Sequence, residues 1–264
     1  MKYTIMRMPL ALKRAVADIL CTPLMGRALA GIFHDRIPHK GFRIDTSHSS
    51  ITPLTKAALF WGGYEGAEIR FTRRYLRPDL DVVELGCSIG VLSCHIRRLM
   101  ESSRQLVCVE ALPNLAEIAR KNLRINDCEN NVSVIERAID YDKERKHVPL
   151  ERGVENTGGR IIDYKACGGR RTIEIQTTTL YEILSEAGIG EYSLVSDIEG
   201  AEAGFIMEKC EDLSKCQRII IELHDTSYRH KPVRVDDMVQ KLVHVHGFAL
   251  ADQYGRCHVF EKNT

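Results

Sequence analysis

The chain has 264 residues, 44% of them hydrophobic and 28% charged, which suits one folded domain with an elaboration. A formal net charge of +1 gives no electrostatic case for gripping a nucleic-acid backbone, so no nucleic-acid partner is expected. The nine cysteines include no C-x-x-C pair, and several lie in apolar runs, as Cys108 does in Leu106–Val109; they read as reduced, buried thiols of a cytoplasmic protein rather than disulfides or zinc ligands.

No apolar run reaches the ~18 residues of a membrane span. Residues 1–33 read as helical and amphipathic, with Lys13, Arg14 and Asp18 interrupting any signal-peptide core. One or two short helices packed on the domain is the first expectation there; a surface for a membrane or a partner is the second. Residues 34–55 are rich in His, Pro, Ser and Thr and read as a loop, with His34, His39 and His48 at the surface, as is His230 later. Residues 1–55 therefore form an N-terminal segment, and 56–264 the main domain. Residues 56–76 read as a helix, with Trp61-Gly62-Gly63-Tyr64-Glu65 in its first part.

From Asp81 short apolar runs alternate with helical stretches: Val82–Leu85, then Val91–Met100; Leu106–Val109, then Asn114–Asn126; then Val132–Ile135. This is the rhythm of βαβ units and a parallel sheet. Residues 141–175, polar and Gly-rich, read as an insertion with a hairpin. The pattern then resumes with a helix at Leu180–Ala187, a strand at Tyr192–Asp197, a helix at Ala201–Leu213, a strand at Arg218–Leu223 and a helix at Val235–His246. Phe248–Ala251 and Cys257–Glu261 flank a turn at Gly255 and close the chain as an antiparallel hairpin.

The sharpest motif is Val82-Val83-Glu84-Leu85-Gly86-Cys87-Ser88-Ile89-Gly90, a buried strand running into a tight turn and a helix. Gly86 lets the backbone turn and a ligand approach, Gly90 lets the helix start pack on the strand, and the free N–H groups there can bind a ligand. A dinucleotide site wants G-x-G-x-x-G with a pyrophosphate on the helix. Gly86-x-x-x-Gly90 lacks that spacing, and the Glu84 carboxylate repels a pyrophosphate while suiting a cofactor with an amino group and a sulfonium. Glu110, ending the next strand, can accept from both ribose hydroxyls. Glu136, after the strand beyond, is the candidate to face an adenine.

Tyr192-Ser193-Leu194-Val195-Ser196-Asp197-Ile198-Glu199-Gly200-Ala201-Glu202 resembles the I-D-V-E-G-A-E motif of the FkbM family of methyltransferases; Asp197, Glu199, Gly200, Ala201 and Glu202 match it and Ser196 departs. Trp61–Glu65 resembles the family's W-G-x-Y-E segment, Glu155-Asn156-Thr157-Gly158-Gly159 its Asn/Gly insertion, Thr178-Thr179-Leu180 its T-L-D (with Tyr181 for the acid), Ile221-Glu222-Leu223-His224 its I-E-x-H, and Gly247-Phe248 its closing pair. The family often reads D-V-G-A-N-x-G where this chain has Glu84–Gly90, so Glu84 keeps the charge and Ser88 a shorter polar side chain. The resemblance spans about residues 60–260. It implies a Rossmann-like class I methyltransferase fold (α/β, a mostly parallel seven-stranded sheet with a C-terminal antiparallel hairpin), S-adenosyl-L-methionine as cofactor and O-methylation of a sugar, polysaccharide precursor or natural product. A protein or another small molecule as acceptor, and a non-catalytic cofactor-binding role, are the alternatives.

Asp197 and Glu199, at i and i+2, fall on one face of an extended chain, as do Glu222 and His224 on the neighbouring strand. The expectation is His224 or Asp197 as general base, with Glu199 and Glu222 orienting the acceptor or, together with Asp197, a divalent cation. His224 as a hydrogen-bonded edge histidine is the competing reading. Glu202 is expected to serve the start of its helix. Tyr64 and Glu65 border the acceptor or pack the N-terminal helix. Asn156 and Thr157 are candidates for a lid.

Overall fold

The structure is a computed structural model that describes residues 20–142, 144–151, 172–208 and 211–263. Its contacts divide the chain into two compact units, 1–66 and 67–264. The proposed lid residues Asn156 and Thr157, the Glu155–Gly159 insertion motif and the first nineteen residues lie outside the described residues.

In the first unit, helix α1 (Pro23–Phe33) starts on Thr22, whose hydroxyl accepts from the Met25 N–H at 3.2 Å, and stops at His34 in the left-handed region (φ 49). Helix α2 (Pro53–Phe60) starts the same way on Thr52. Between them the expected loop is in fact a hairpin: β1 (Arg36–His39) pairs antiparallel with β2 (Phe42–Asp45). Lys40 and Gly41 both take positive φ, the requirement of a tight two-residue turn, and Ile37, His39, Phe42 and Ile44 alternate inward. The Pro- and His-rich composition masks that alternation. His39 is accordingly no surface residue: it is 1% exposed and its Nδ1 lies 2.7 Å from the Leu59 carbonyl.

The helix expected over 56–76 is two helices, α2 and α3 (Gly66–Tyr75). Gly62 (φ 72) and Glu65 (φ 48) break it. The amides of Gly62 and Gly63 turn back onto the carbonyls of Leu59 and Ala58. Tyr64 is buried.

The second unit is built on one seven-stranded sheet in the order β13-β14-β10-β9-β3-β4-β5. The strands are β3 (Asp81–Leu85), β4 (Leu106–Val109), β5 (Val132–Ile135), β9 (Tyr192–Ser196), β10 (Cys216–Glu222), β13 (Phe248–Tyr254) and β14 (Cys257–Lys262). All neighbours are parallel except the pairs that β14 makes with β10 and β13. The connecting helices are α4 (Val91–Leu99), α5 (Pro113–Ile125), α6 (Leu180–Ala187), α7 (Glu202–Met207) and α8 (Val235–His244). The helix after β9 is shorter than the expected Ala201–Leu213: Glu208 is extended, and a 3₁₀ turn follows at Glu211–Lys215.

Alternation along the strands decides which face each residue serves. Val83 and Leu85 join Val107, Leu194, Ile219, Ile221, Phe205 and Phe260 in one core, and Glu84 points the other way, toward α4. In the 141–175 stretch, β7 (His147–Glu151) pairs antiparallel with β8 (Thr172–Thr178), which also pairs parallel with β6 (Ala138–Ile139). A small hairpin after β10, β11 (Thr226–Tyr228) with β12 (Lys231–Val233), had no sequence signal. Its turn is Arg229-His230, both at positive φ without a glycine to mark them.

The chain runs outward from β3 through β4 to β5, then returns to the other side of β3 as β9. The strand order therefore reverses between β3 and β9. In open α/β sheets a ligand crevice forms outside the carboxyl ends of the strands at such a point.

Candidate active site

At that reversal the loop after β3 meets the loop after β9. The Asp197 N–H donates to the Leu85 carbonyl at 2.9 Å. Gly86 sits at φ +83, and a Cβ on it would fall 2.0 Å from the Asp197 carbonyl oxygen. Nothing but glycine fits, because left-handed geometry and backbone contact coincide. The Gly86 and Cys87 amides donate to the Val109 carbonyl at 2.8 and 3.1 Å, tying the turn to β4. Gly90, at the start of α4, lies against Ala119 of α5.

The acidic residues read from the sequence take distinct places around this turn. Glu110 is 8% exposed at the end of β4. Its Oε2 accepts from the Ser88 N–H at 2.8 Å and its Oε1 from the Leu112 N–H at 2.9 Å. The carboxylate thus pins the turn; with the Ala111 amide also acting on it, it keeps a lone pair for a ribose hydroxyl. Burial raises its pKa, against those backbone hydrogen bonds. Glu84 is 2% exposed, with Oε2 accepting from the Ser93 hydroxyl at 2.6 Å and the Cys108 thiol at 3.2 Å, while Oε1 has no hydrogen-bond partner. Glu136 is exposed and pairs with Arg120 at 2.6 Å. A glycine turn closed to any Cβ, a ribose-ready carboxylate and a buried acid with an orphaned oxygen fit a positively charged, ribose-bearing donor.

Burial pushes the Glu84 carboxyl up to about 7. A raised carboxyl pKa stabilises the fold below the unfolded value of 4.5, and that contribution is lost as pH rises through about 7. The gap corresponds to about 3 kcal/mol. In the donor-free protein, Glu84→Gln is therefore expected to remove a decline in stability between about pH 5 and 7 that wild type shows. Urea unfolding of both proteins across that range checks it. Identical slopes would mean that the carboxyl stays ionised.

The second constellation lies across the crevice, at the ends of β9 and β10. His224 is 5% exposed; its Nε2 lies 3.3 Å from Glu222 Oε1 and 3.7 Å from Glu199 Oε2, and its Nδ1 has no partner. The Glu222 hydrogen bond raises the His224 pKa and in return lowers that of Glu222. Asp197 carries a buried, unpartnered Oδ1. Burial first, then the neighbouring Glu222, Glu202 and Glu199, push its carboxyl up to about 8. Glu199 itself takes a left-handed conformation (φ 54), which swings it out of strand geometry toward the imidazole.

Glu202 is fully buried and accepts from the amides of Ile198 and Gly200, both at 2.7 Å. It braces the turn that carries Asp197 and Glu199, at the start of α7. One atom each of Asp197, Glu202 and His224 lies within 4.8 Å of the other two. Glu199 and Glu222, put forward with Asp197 as metal ligands, flank the imidazole.

Two contributors escaped the sequence reading. Glu68 on α3 is brought beside Glu222, and burial and that neighbour raise its pKa. Nothing local marks it, since it lies some 150 residues away in the chain. Ser93, which holds Glu84, was legible in principle as the polar residue on the strand-facing side of the next helix.

A family model described as "Methyltransferase FkbM domain" matches residues 89–250 of this chain. Among solved structures, magnesium protoporphyrin IX methyltransferase from Synechocystis PCC 6803 with bound SAM is 14% identical, with a TM-score of 0.41 over 74% of this chain and 76% of that one. A ribosomal protein L11 methylase from Lactobacillus delbrueckii subsp. bulgaricus is 12% identical, with a TM-score of 0.44 over 76% and 80%. The tRNA m1G37 methyltransferase of M. jannaschii is 10% identical, with a TM-score of 0.44 over 86% and 56%.

Proposed function

The chain belongs to the FkbM methyltransferase family, with S-adenosylmethionine as methyl donor, and from that premise we propose that it is an O-methyltransferase for a hydroxyl of a sugar, polysaccharide precursor or natural product. The observation that carries the reading is the direct contact between the donor turn and the acidic cluster: Asp197 hydrogen-bonds to Leu85 and packs on Gly86. A hydroxyl seated on that cluster lies where a methyl group presented from the turn can reach it.

When bound, the donor supplies an electrophilic methyl group on a sulfonium and leaves as a neutral thioether. The protein's own part is to place the groups and to handle a proton. Gly86, Ser88, Gly90 and Glu110 form the donor cradle, Glu84 beneath it ionises to meet the positive charge of the bound donor, and Glu136 borders the adenine end. Positioning alone is worth much, since well-oriented reactants reach effective molarities of ~10⁵–10⁸ M. A sugar hydroxyl also needs to lose its proton, and a placed base contributes ~10²–10⁴-fold. Asp197 and His224 are the two groups placed to take it. Glu222 and Glu199 orient the imidazole and the acceptor.

No helix among the described residues is long and apolar enough to cross a membrane. The seven described cysteines are free thiols, six of them buried, which supports a reducing compartment such as the cytoplasm for the reaction.

The acceptor class is tested by incubating the protein with methyl-labelled donor and separate glycan, protein and RNA fractions of a cell extract. Label is expected in the glycan or small-molecule fraction, as a base-stable ether. Label in protein or RNA alone would replace the hydroxyl acceptor and leave the methyltransferase intact.

A further inference from the structure

We infer that the cluster at the ends of β9 and β10 is a binding site for one divalent transition-metal cation, held by Asp197, Glu202 and His224. The inference rests on the reading of this cluster as the acceptor site and sharpens it: with Asp197 and His224 as ligands, the ion set against the acceptor oxygen lowers the pKa of the hydroxyl, and its proton passes to Glu199 or Glu222 in place of a direct transfer to Asp197 or His224.

The first observation is geometric. Each of the three residues offers one ligand atom, and the three atoms lie within 4.8 Å of one another. Atoms bound ~2.1 Å from one ion are at most ~4.2 Å apart, so a pair at the 4.8 Å limit would draw in by at least about 0.6 Å. The second is independent of the acidic clustering. His224 is 95% buried, yet its Nδ1 has no hydrogen-bond partner, and the buried Asp197 Oδ1 beside it has none either. Native proteins rarely leave such atoms unsatisfied without a ligand to fill them.

The charge inventory points the same way. Asp197, Glu199, Glu202 and Glu222 gather around a single imidazole, with Glu68 and Arg256 acting on Glu222. A divalent ion offsets the surplus of negative charge. Glu202 already accepts from the backbone amides of Ile198 and Gly200, with its own amide acting on it too, which fixes its orientation and keeps a lone pair for the ion. Glu222 and Glu199 hold the ring as carboxylate partners hold a ligating histidine. One imidazole with two carboxylates favours Mn²⁺, Fe²⁺ or Zn²⁺ over Ca²⁺, which takes six to eight oxygens.

The test is a Mn²⁺ titration followed by electron paramagnetic resonance, on wild type, Asp197→Asn and His224→Ala. Binding of S-adenosylhomocysteine is measured on each to confirm a folded donor site. One Mn²⁺ per wild-type chain is expected, with affinity falling at least tenfold in either variant while S-adenosylhomocysteine still binds. In wild type alone, Mn²⁺ should also broaden the His224 ring resonances, a readout that needs no variant to fold. No Mn²⁺ bound, or binding that both variants retain with His224 unbroadened, overturns the site. Because S-adenosylhomocysteine binding is read separately, that failure would leave the methyltransferase reading standing.

Discussion

Asp197→Asn and His224→Ala are each expected to lower turnover by ~10²–10⁴-fold while leaving donor affinity close to wild type. The split follows from where the two residues sit. Asp197 meets the donor turn through its backbone, its N–H on Leu85 and its carbonyl against Gly86, and the substitution leaves both in place. What changes is the side chain proposed to face the acceptor. His224 belongs to the same cluster through Glu222 and Glu199. The loss should therefore fall on kcat, with the donor KM little changed, because the interaction removed is realised at the reacting hydroxyl. Steady-state kinetics with the acceptor, together with calorimetry of donor binding, read the two quantities separately. Wild-type turnover in both variants would remove Asp197 and His224 from the reaction.

Gly86→Ala is expected to be the most damaging single methyl group in the second unit. The new Cβ would sit 2.0 Å from a carbonyl oxygen that is itself fixed by the β3–β9 pairing, on a residue at φ +83. Either the turn shifts or β9 does, and both carry the site. A cost of about 3 kcal/mol or more is reasonable for strain that surrounding structure resists. That corresponds to a melting temperature lower by roughly 6–12 °C for a domain of this size. Calorimetric melting checks the stability, and donor titration of the folded protein below its transition checks the site, where affinity should fall at least tenfold. An alanine variant that melts and binds as wild type does would mean that the two loops are not in contact.

How far the sequence showed all this differs by element. The parallel strands from Val82 to Arg218 were readable because buried strands are continuous apolar runs, and their helices carry a 3.6-residue pattern. The C-terminal hairpin was readable from Gly255. The β1–β2 and β11–β12 hairpins were not, for related reasons: a Pro- and His-rich composition hid the first, and a turn made of Arg229 and His230 hid the second. Within the site, chain-local spacing and the family resemblance put forward Glu84, Gly86, Glu110, Asp197 and His224, which the structure places at the ends of β3, β4, β9 and β10. Spacing assigned Glu199 and Glu222 by strand periodicity, which assumes an extended backbone. The left-handed turn at Glu199 breaks that assumption, and Glu202, one turn further on, comes under Asp197 instead. Glu68 needed the tertiary fold, since only the packing of α3 brings it to Glu222.

The donor site is probed most directly by isothermal titration of the wild-type chain with S-adenosylmethionine and S-adenosylhomocysteine, with NAD as control. One site per chain for the two sulfur compounds and none for NAD is the predicted outcome. A folded protein that takes up neither sulfur compound would contradict the assignment of the Gly86 turn and Glu110 as a methyl-donor cradle.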